Sequence, residues 1–206
     1  MITLTRKERD RQLRKSDILR AAERIFSLKG FHEATMCDIA KEAQYATGTV
    51  YLYFKDKDLL YFSLVEEKIK CLIAAVKEDT ESVDDAESKI KIFIARQLDF
   101  FEKNQDFFGI FLSERSKFQT VREEKFSKPS VLLQYREFTV YLIKTGQAQG
   151  IITDNYGSKQ IAEIFFSIIM SVVFDWFKNT PKAGSALSGL SEFIFDIFVN
   201  GVGKNK

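Results

Sequence analysis

Between Thr35 and Lys57 lies a set of side chains whose types suit one shared role: Thr35, Thr47, Gly48, Thr49, Tyr51, Leu52, Tyr53 and Lys57. They offer hydroxyls, an ammonium, one bare backbone position and apolar carbon. Hydroxyl and ammonium groups suit phosphate oxygens, and threonine methyls with a leucine suit the methyl of thymine. Arg, Asn and Gln, which hydrogen-bond base edges in pairs, are missing from Thr47 to Tyr53. Such a surface is built for grip more than for hydrogen-bond readout. Part of any specificity is then expected from DNA shape and from a flanking basic arm.

Enzymatic chemistry finds little support. The single histidine, His32, sits in the connection Gly30–Ala34 and is expected to face solvent. No nucleophile stands at a recognisable spacing from a base, and no glycine-rich phosphate loop or metal cluster occurs. Cys37 and Cys71 lie far apart without a CxxC, which points to neither a disulfide scaffold nor a zinc site. Asp84-Asp85 and Glu66-Glu67 read as helix-end and surface charges. No cofactor is expected.

The elements that must position the Thr35–Lys57 set are helical. Proline occurs twice in 206 residues, so long helices can run. Residues 8–29 place Ile18, Ala21, Ala22, Ile25, Phe26 and Leu28 on one side, and Gly30 stops that helix. Thr35 caps a short helix through Ala43, and a second spans about Thr47–Tyr53. Asp56 caps a long helix over about 57–79. Further helices follow over about 86–103, 105–117, 129–149, 157–178 and 187–200. A polar loop to Lys128 precedes Pro129, and a turn holds Pro181 and Gly184. The fold class is all-α with about nine helices. The domains are expected at 1–56 and 57–206.

Charge is uneven along the chain. Residues 1–57 hold 12 Lys/Arg against 8 Asp/Glu, while 58–206 hold 19 against 21. The excess is densest at Arg6, Lys7, Arg9, Arg11, Arg14, Lys15 and Arg20, which suits a polyanion or, equally, a solvated helix face.

Within residues 36–54, Ile39, Ala40, Ala43 and Val50 form the inward set. Ala40 has to be small where two helices cross. Two short helices around Gln44-Tyr45-Ala46 make a helix-turn-helix, whose second helix can enter a major groove. Tyr53 and Lys57 lie where phosphates would pass, and Thr35 with the first free amides of its helix could hold another. Alternatively, Tyr51, Tyr53 and Phe54 are core aromatics.

The chain resembles the tetracycline-repressor (TetR/AcrR) family. The match runs from Ile18-Leu19-Arg20-Ala21-Ala22 through Phe26, Gly30-Phe31, Thr35, Asp38-Ile39-Ala40, Ala43, Gly48-Thr49-Val50-Tyr51 and Tyr53-Phe54 to Lys57-Asp58-Leu59-Leu60. Two positions depart: Gln44 stands where the family commonly has Gly, and Ala46 where it has Ser or a similar cap. Gln44 then needs a left-handed backbone, and Ala46 lacks a capping oxygen. The resemblance implies DNA contacts at Thr47, Gly48, Thr49, Tyr51, Leu52, Tyr53 and Lys57, with Thr35 on phosphate. It implies a homodimer on a roughly palindromic operator, usually repressing until a small ligand releases it. Beyond residue 65 only Ala148-Gln149-Gly150-Ile151 matches.

The remainder is rich in phenylalanine, 20 in all. Phe93, Phe100, Phe101, Phe107, Phe108, Phe111, Phe118 and Phe138 are candidates to line an apolar pocket for a small hydrophobic effector. Asp175 is an acid among Ile, Val and Phe, free to cap, to pair across a dimer or to face that pocket. Glu114-Arg115 poses the same question, against a plain intrahelical or solvent-facing pair. Helix 157–178 is apolar nearly all round, with Ser167, Ser171 and Asp175 as a narrow polar stripe. Ile161, Ile164, Phe165, Ile168 and Val172, with Leu190, Ile194, Ile197 and Phe198, are expected to form an isologous four-helix dimer interface or, alternatively, a monomer core. The apolar run Ile164–Phe174 is too short to span a membrane, and no membrane partner is expected. No signal peptide is recognisable, so a cytoplasmic location is expected. The functional expectation is a DNA-binding regulator, a repressor released by a lipophilic effector. The alternative is a lipophile-binding helical protein or scaffold that has lost DNA binding.

Overall fold

The computed structural model describes residues 5–114, 131–179 and 186–201. Nine α-helices and no strand occur among the described residues: α1 (Arg6–Glu33), α2 (Met36–Glu42), α3 (Thr47–Tyr53), α4 (Lys57–Glu81), α5 (Ala86–Lys103), α6 (Gln105–Ser113), α7 (Val131–Ala148), α8 (Ser158–Asn179) and α9 (Ser191–Asn200). A single 3-10 turn, Leu187–Leu190, leads into α9, where one continuous helix was expected. The polar stretch after Arg115, the start at Pro129 and the turn with Pro181 and Gly184 lie outside the described residues.

The chain divides into two compact units, Met1–Lys68 with Asp106–Lys128, and Ile69–Gln105 with Pro129–Lys206. The division falls inside α4, not before it at residue 57. The reason is visible in the first unit. Leu60, Tyr61, Leu64 and Val65 of α4 are buried there, and Tyr61 sets its ring against Phe26 and Phe31 of α1 at 6.3 and 5.4 Å. Lys55-Asp56-Lys57 is thus a helix start: Asp56 accepts from Leu59 N at 2.7 Å.

Local chemistry starts and stops the helices. Thr5 and Glu8 form a capping box that begins α1. Gly30, with φ of 75°, breaks α1 and turns its last residues aside. In the second unit, α7 ends on the resembling Ala148–Ile151 segment. There the Gln149 side chain accepts from Ala86 N at 2.7 Å and donates to Asp84 O at 3.2 Å, tying the start of α5. Gly146 lies in a tight place: a Cβ on it would come within 2.7 Å of Ile152 Cδ1, so the isoleucine side chain would have to shift.

α8 runs 22 residues and is long and apolar enough, by length and composition, to cross a membrane, which corrects the expectation drawn from Ile164–Phe174 alone. That expectation counted the unbroken run and not the helix carrying it. Phe165, Ile169 and Val173 are nevertheless fully buried against neighbouring helices of the unit, as in the core helix of a bundle.

Candidate nucleic-acid interface

The helix pair α2–α3 is held against α1 by a closed core and by polar ties along its edge. Ile18, Ala22 and Phe26 of α1 meet Ile39, Ala40, Val50 and Phe54 in the interior, all at most 3% exposed. Ala40 is buried at 1% exposure, and Phe54 is a core aromatic. Around this core, Arg24 pairs with Glu42 at 3.2 Å and Lys29 with Asp38 at 2.7 Å. The Tyr45 hydroxyl donates to Asp17 at 3.0 Å, and Arg20 pairs with the same carboxylate. These two hydrogen bonds, Arg20 first, hold the Asp17 carboxyl below its usual range.

The turn has the geometry its two unusual residues demand. Gln44 has φ of 59°, and no other non-glycine residue among those described has a positive φ. Its amide donates to Lys41 O at 3.2 Å while Tyr45 N donates to Ala40 O at 2.9 Å, the two bonds of a Schellman motif. Ala46 begins α3 with no side-chain cap.

α3 turns its large side chains outward. Tyr51 is 52% and Leu52 81% exposed, so neither is a core aromatic or a core aliphatic residue. Thr47, Thr49 and Tyr53 are half-buried, and Gly48 is exposed. A Cβ at Gly48 would meet nothing within 4 Å, so packing does not call for glycine there. Arg6, Lys7, Arg9, Arg11, Arg14 and Lys15 are all exposed. The basic arm is therefore helical, the free-standing first turns of α1, with Ile18 the first buried residue.

Thr35 and Lys57 are more occupied than their sequence positions disclose. The Thr35 hydroxyl accepts from Asp38 N at 3.1 Å and donates to the Asp38 carboxylate at 2.7 Å, closing a capping box. The Lys57 ammonium donates to His32 O at 2.9 Å and Ala34 O at 2.7 Å, and lies 4.7 Å from the centre of the Phe31 ring. It bonds the carbonyls where α1 ends. The sequence carries no pattern for these contacts.

The candidate pocket residues divide between the units. Phe107, Phe111 and Glu114 belong to the first; Phe93, Phe100, Phe138 and Asp175 belong to the second. Phe118 and Arg115 lie outside the described residues. Asp175 requires correction: it is exposed and accepts from Asn179 at 2.6 Å, because its stripe faces away from the core. Among the described residues the buried acid is Glu114, 3% exposed, with His32 Nε2 at 3.5 Å and Ser113 Oγ at 3.3 Å. A solvent-facing Glu114 is thereby also corrected. His32 is exposed, as expected, yet ion-pairs when protonated. In the second unit Phe93 lies at the centre of a cluster, with Tyr135, Phe138 and Phe165 at 6.0, 6.1 and 5.7 Å.

The expected dimer set mixes two faces. Ile161, Phe165 and Ile194 are buried within the single chain and cannot meet a partner directly. Ile164 is exposed, while Ile168, Val172, Leu190, Ile197 and Phe198 are half-buried. Phe193 and Phe166 are exposed, on the outer sides of α9 and α8.

Comparison with known proteins bears on this arrangement. Residues 18–64 match the model of bacterial regulatory proteins of the tetR family, and residues 65–201 match that of the YsiA-like protein C-terminal region. A fatty acid metabolism regulator protein of Bacillus subtilis is 25% identical over 90% of this chain and 93% of its own. The fold matches the transcriptional regulator FadR of B. subtilis, solved in complex with stearoyl-CoA, with a TM-score of 0.77 and 24% identity over 91% of this chain and 99% of that one. The fatty acid degradation regulator FadR of Bacillus halodurans matches with a TM-score of 0.76 and 21% identity, over 91% and 99%. With both parts of the chain matched, the helix-turn-helix and the helical module behind it have one explanation: the chain belongs to the TetR family and is a DNA-binding transcriptional regulator, not an enzyme.

Proposed function

We propose that this chain is a cytoplasmic, homodimeric repressor of genes of fatty-acid metabolism, released from its operator by a long-chain acyl effector of the acyl-CoA type. The observation that carries the DNA reading is the outward face of α3, where Tyr51 and Leu52 stand uncovered beside a Gly48 that the fold does not require. A groove-facing helix needs this: side chains that reach, and backbone that comes close. Thr47, Thr49 and Tyr53 complete that face, and the exposed cations of α1 supply phosphate attraction. Lys57 and Thr35 act mainly by holding α1, α2 and α4 in register. The effector reading is supported by the acyl-CoA ligand of the B. subtilis relative and by the aromatic cluster around Phe93. The dimer reading is supported by the exposed Ile164 and Phe193, with Ser167 and Ser171 small enough for close helix approach.

A gel shift with the DNA upstream of the chain's own gene tests this. Affinity should exceed that for random DNA and fall at least about tenfold between 50 and 200 mM salt. Micromolar stearoyl-CoA should release the DNA. Equal affinity for random DNA would favour a lipophile-binding protein instead, and DNA binding indifferent to stearoyl-CoA would remove the effector.

A further inference from the structure

Gln97 of α5 is wholly buried. Its Oε1 accepts a hydrogen bond from the Tyr135 hydroxyl at 2.5 Å. Its Nε2 is buried too and finds no hydrogen-bond partner among the described residues. Turning the amide round only moves the difficulty: Nε2 would then donate to the phenol oxygen, and Oε1 and the phenol proton would both be left over. Either way the pair holds more hydrogen-bonding capacity than its surroundings use.

Those surroundings are aromatic. Phe93 stands one turn before Gln97 and stacks on Tyr135 at 6.0 Å, and Tyr135 meets the edge of Phe166 at 6.1 Å. Burial pushes the Tyr135 phenol far above its usual range, so it stays protonated and neutral. Among the described residues, Lys77, which is exposed, stands against the cluster with its ammonium 5.9 Å from the Phe138 ring centre. An open amide donor in such a setting is unfavourable, and leucine would fill similar volume without that penalty. A guest that uses the donor explains it. That guest is apolar along its length, to lie against phenyl rings, and carries a neutral acceptor. A carboxylate would need a buried partner charge beside the donor, and Lys77 stands in solvent. A thioester carbonyl needs only the donor.

We propose that Gln97, positioned by Tyr135, hydrogen-bonds the thioester carbonyl oxygen of an acyl effector bound in the second unit; this rests on the acyl-effector reading above. The full-length protein is titrated calorimetrically with stearoyl-CoA and with S-octadecyl-CoA, the thioether of equal chain length that lacks the carbonyl. The wild-type protein should bind the thioester about tenfold more tightly. In Gln97→Leu the two should bind alike, through loss on the thioester alone, with helical circular dichroism unchanged. Gln97→Met should do the same and replaces the leucine variant if that one fails to fold. Equal binding of both compounds by the wild type overturns the Gln97 contact and leaves the acyl effector standing, as it would if a buried water satisfied the amide. A thioester preference that persists in the variants also overturns the contact. Binding of neither compound by the wild type removes both readings.

Discussion

Asp38 does two things at the start of α2. It returns the Thr35 cap, and it receives the Lys29 ammonium from α1. The Lys29 hydrogen bond, then those of Thr35, hold its carboxyl at about 2, below the ordinary 3.8. A depressed folded value fixes the sign. Asp38 favours the folded state fully above about 3.8, and that contribution is lost as the pH falls through about 2. An NMR titration of the Asp38 carboxyl should show its midpoint near 2, and Lys29→Ala should raise it. A wild-type midpoint at the ordinary value would rule out the Lys29 contact. Thr35 as a cap was legible from its type and place. The Lys29 partner, nine residues back, was not, because it depends on where the kink at Gly30 aims the end of α1.

The turn between α2 and α3 is the least comfortable element of the fold. Gln44 adopts the left-handed conformation that the Schellman motif imposes at this position. A side chain there costs about 1–2 kcal/mol, against a smaller entropic cost for glycine in the unfolded chain. Gln44→Gly should therefore raise stability by roughly 1 kcal/mol, read as a higher midpoint in thermal denaturation. Because Gln44 lies in the turn and not on α3, operator affinity should not change. A lower midpoint for Gln44→Gly would mean that the glutamine side chain contributes bonds of its own. Both departures, Gln44 and Ala46, were legible once the sequence was set against the family pattern it resembles, since capping is a matter of a few adjacent residues. The Tyr45–Asp17 bond that pins this turn to α1 was not, since its partners are 28 residues apart.

At the scale of the molecule, the two sides of α8 bear differently on the proposed dimer. Phe165 is interior, 4.3 Å from the Phe198 ring, whereas Ile164 next to it is 59% exposed. Ile164→Arg should keep the helical fold and give a monomer by light scattering. Phe165→Ala should cost about 3–5 kcal/mol of stability whatever the assembly state. A dimeric Ile164→Arg protein would place the interface elsewhere.

Helix limits, caps, the turn and the outward face of α3 could be read from the sequence, because the period of 3.6 residues and end chemistry act within a few positions. A helix apolar nearly all round, such as α8, contains no such signal for which side is covered. Only its neighbours decided that Phe165, Ile161 and Ile194 turn inward and that Asp175 faces water while Glu114 does not. The Thr35–Lys57 set shows the same division. Its composition announced a surface suited to phosphate and thymine methyls, and the tertiary structure then gave Lys57 to the carbonyls of His32 and Ala34 and left Tyr51 and Leu52 bare. Hydrogen bonds go to whichever acceptor the fold brings near, and that proximity is set by packing across the chain.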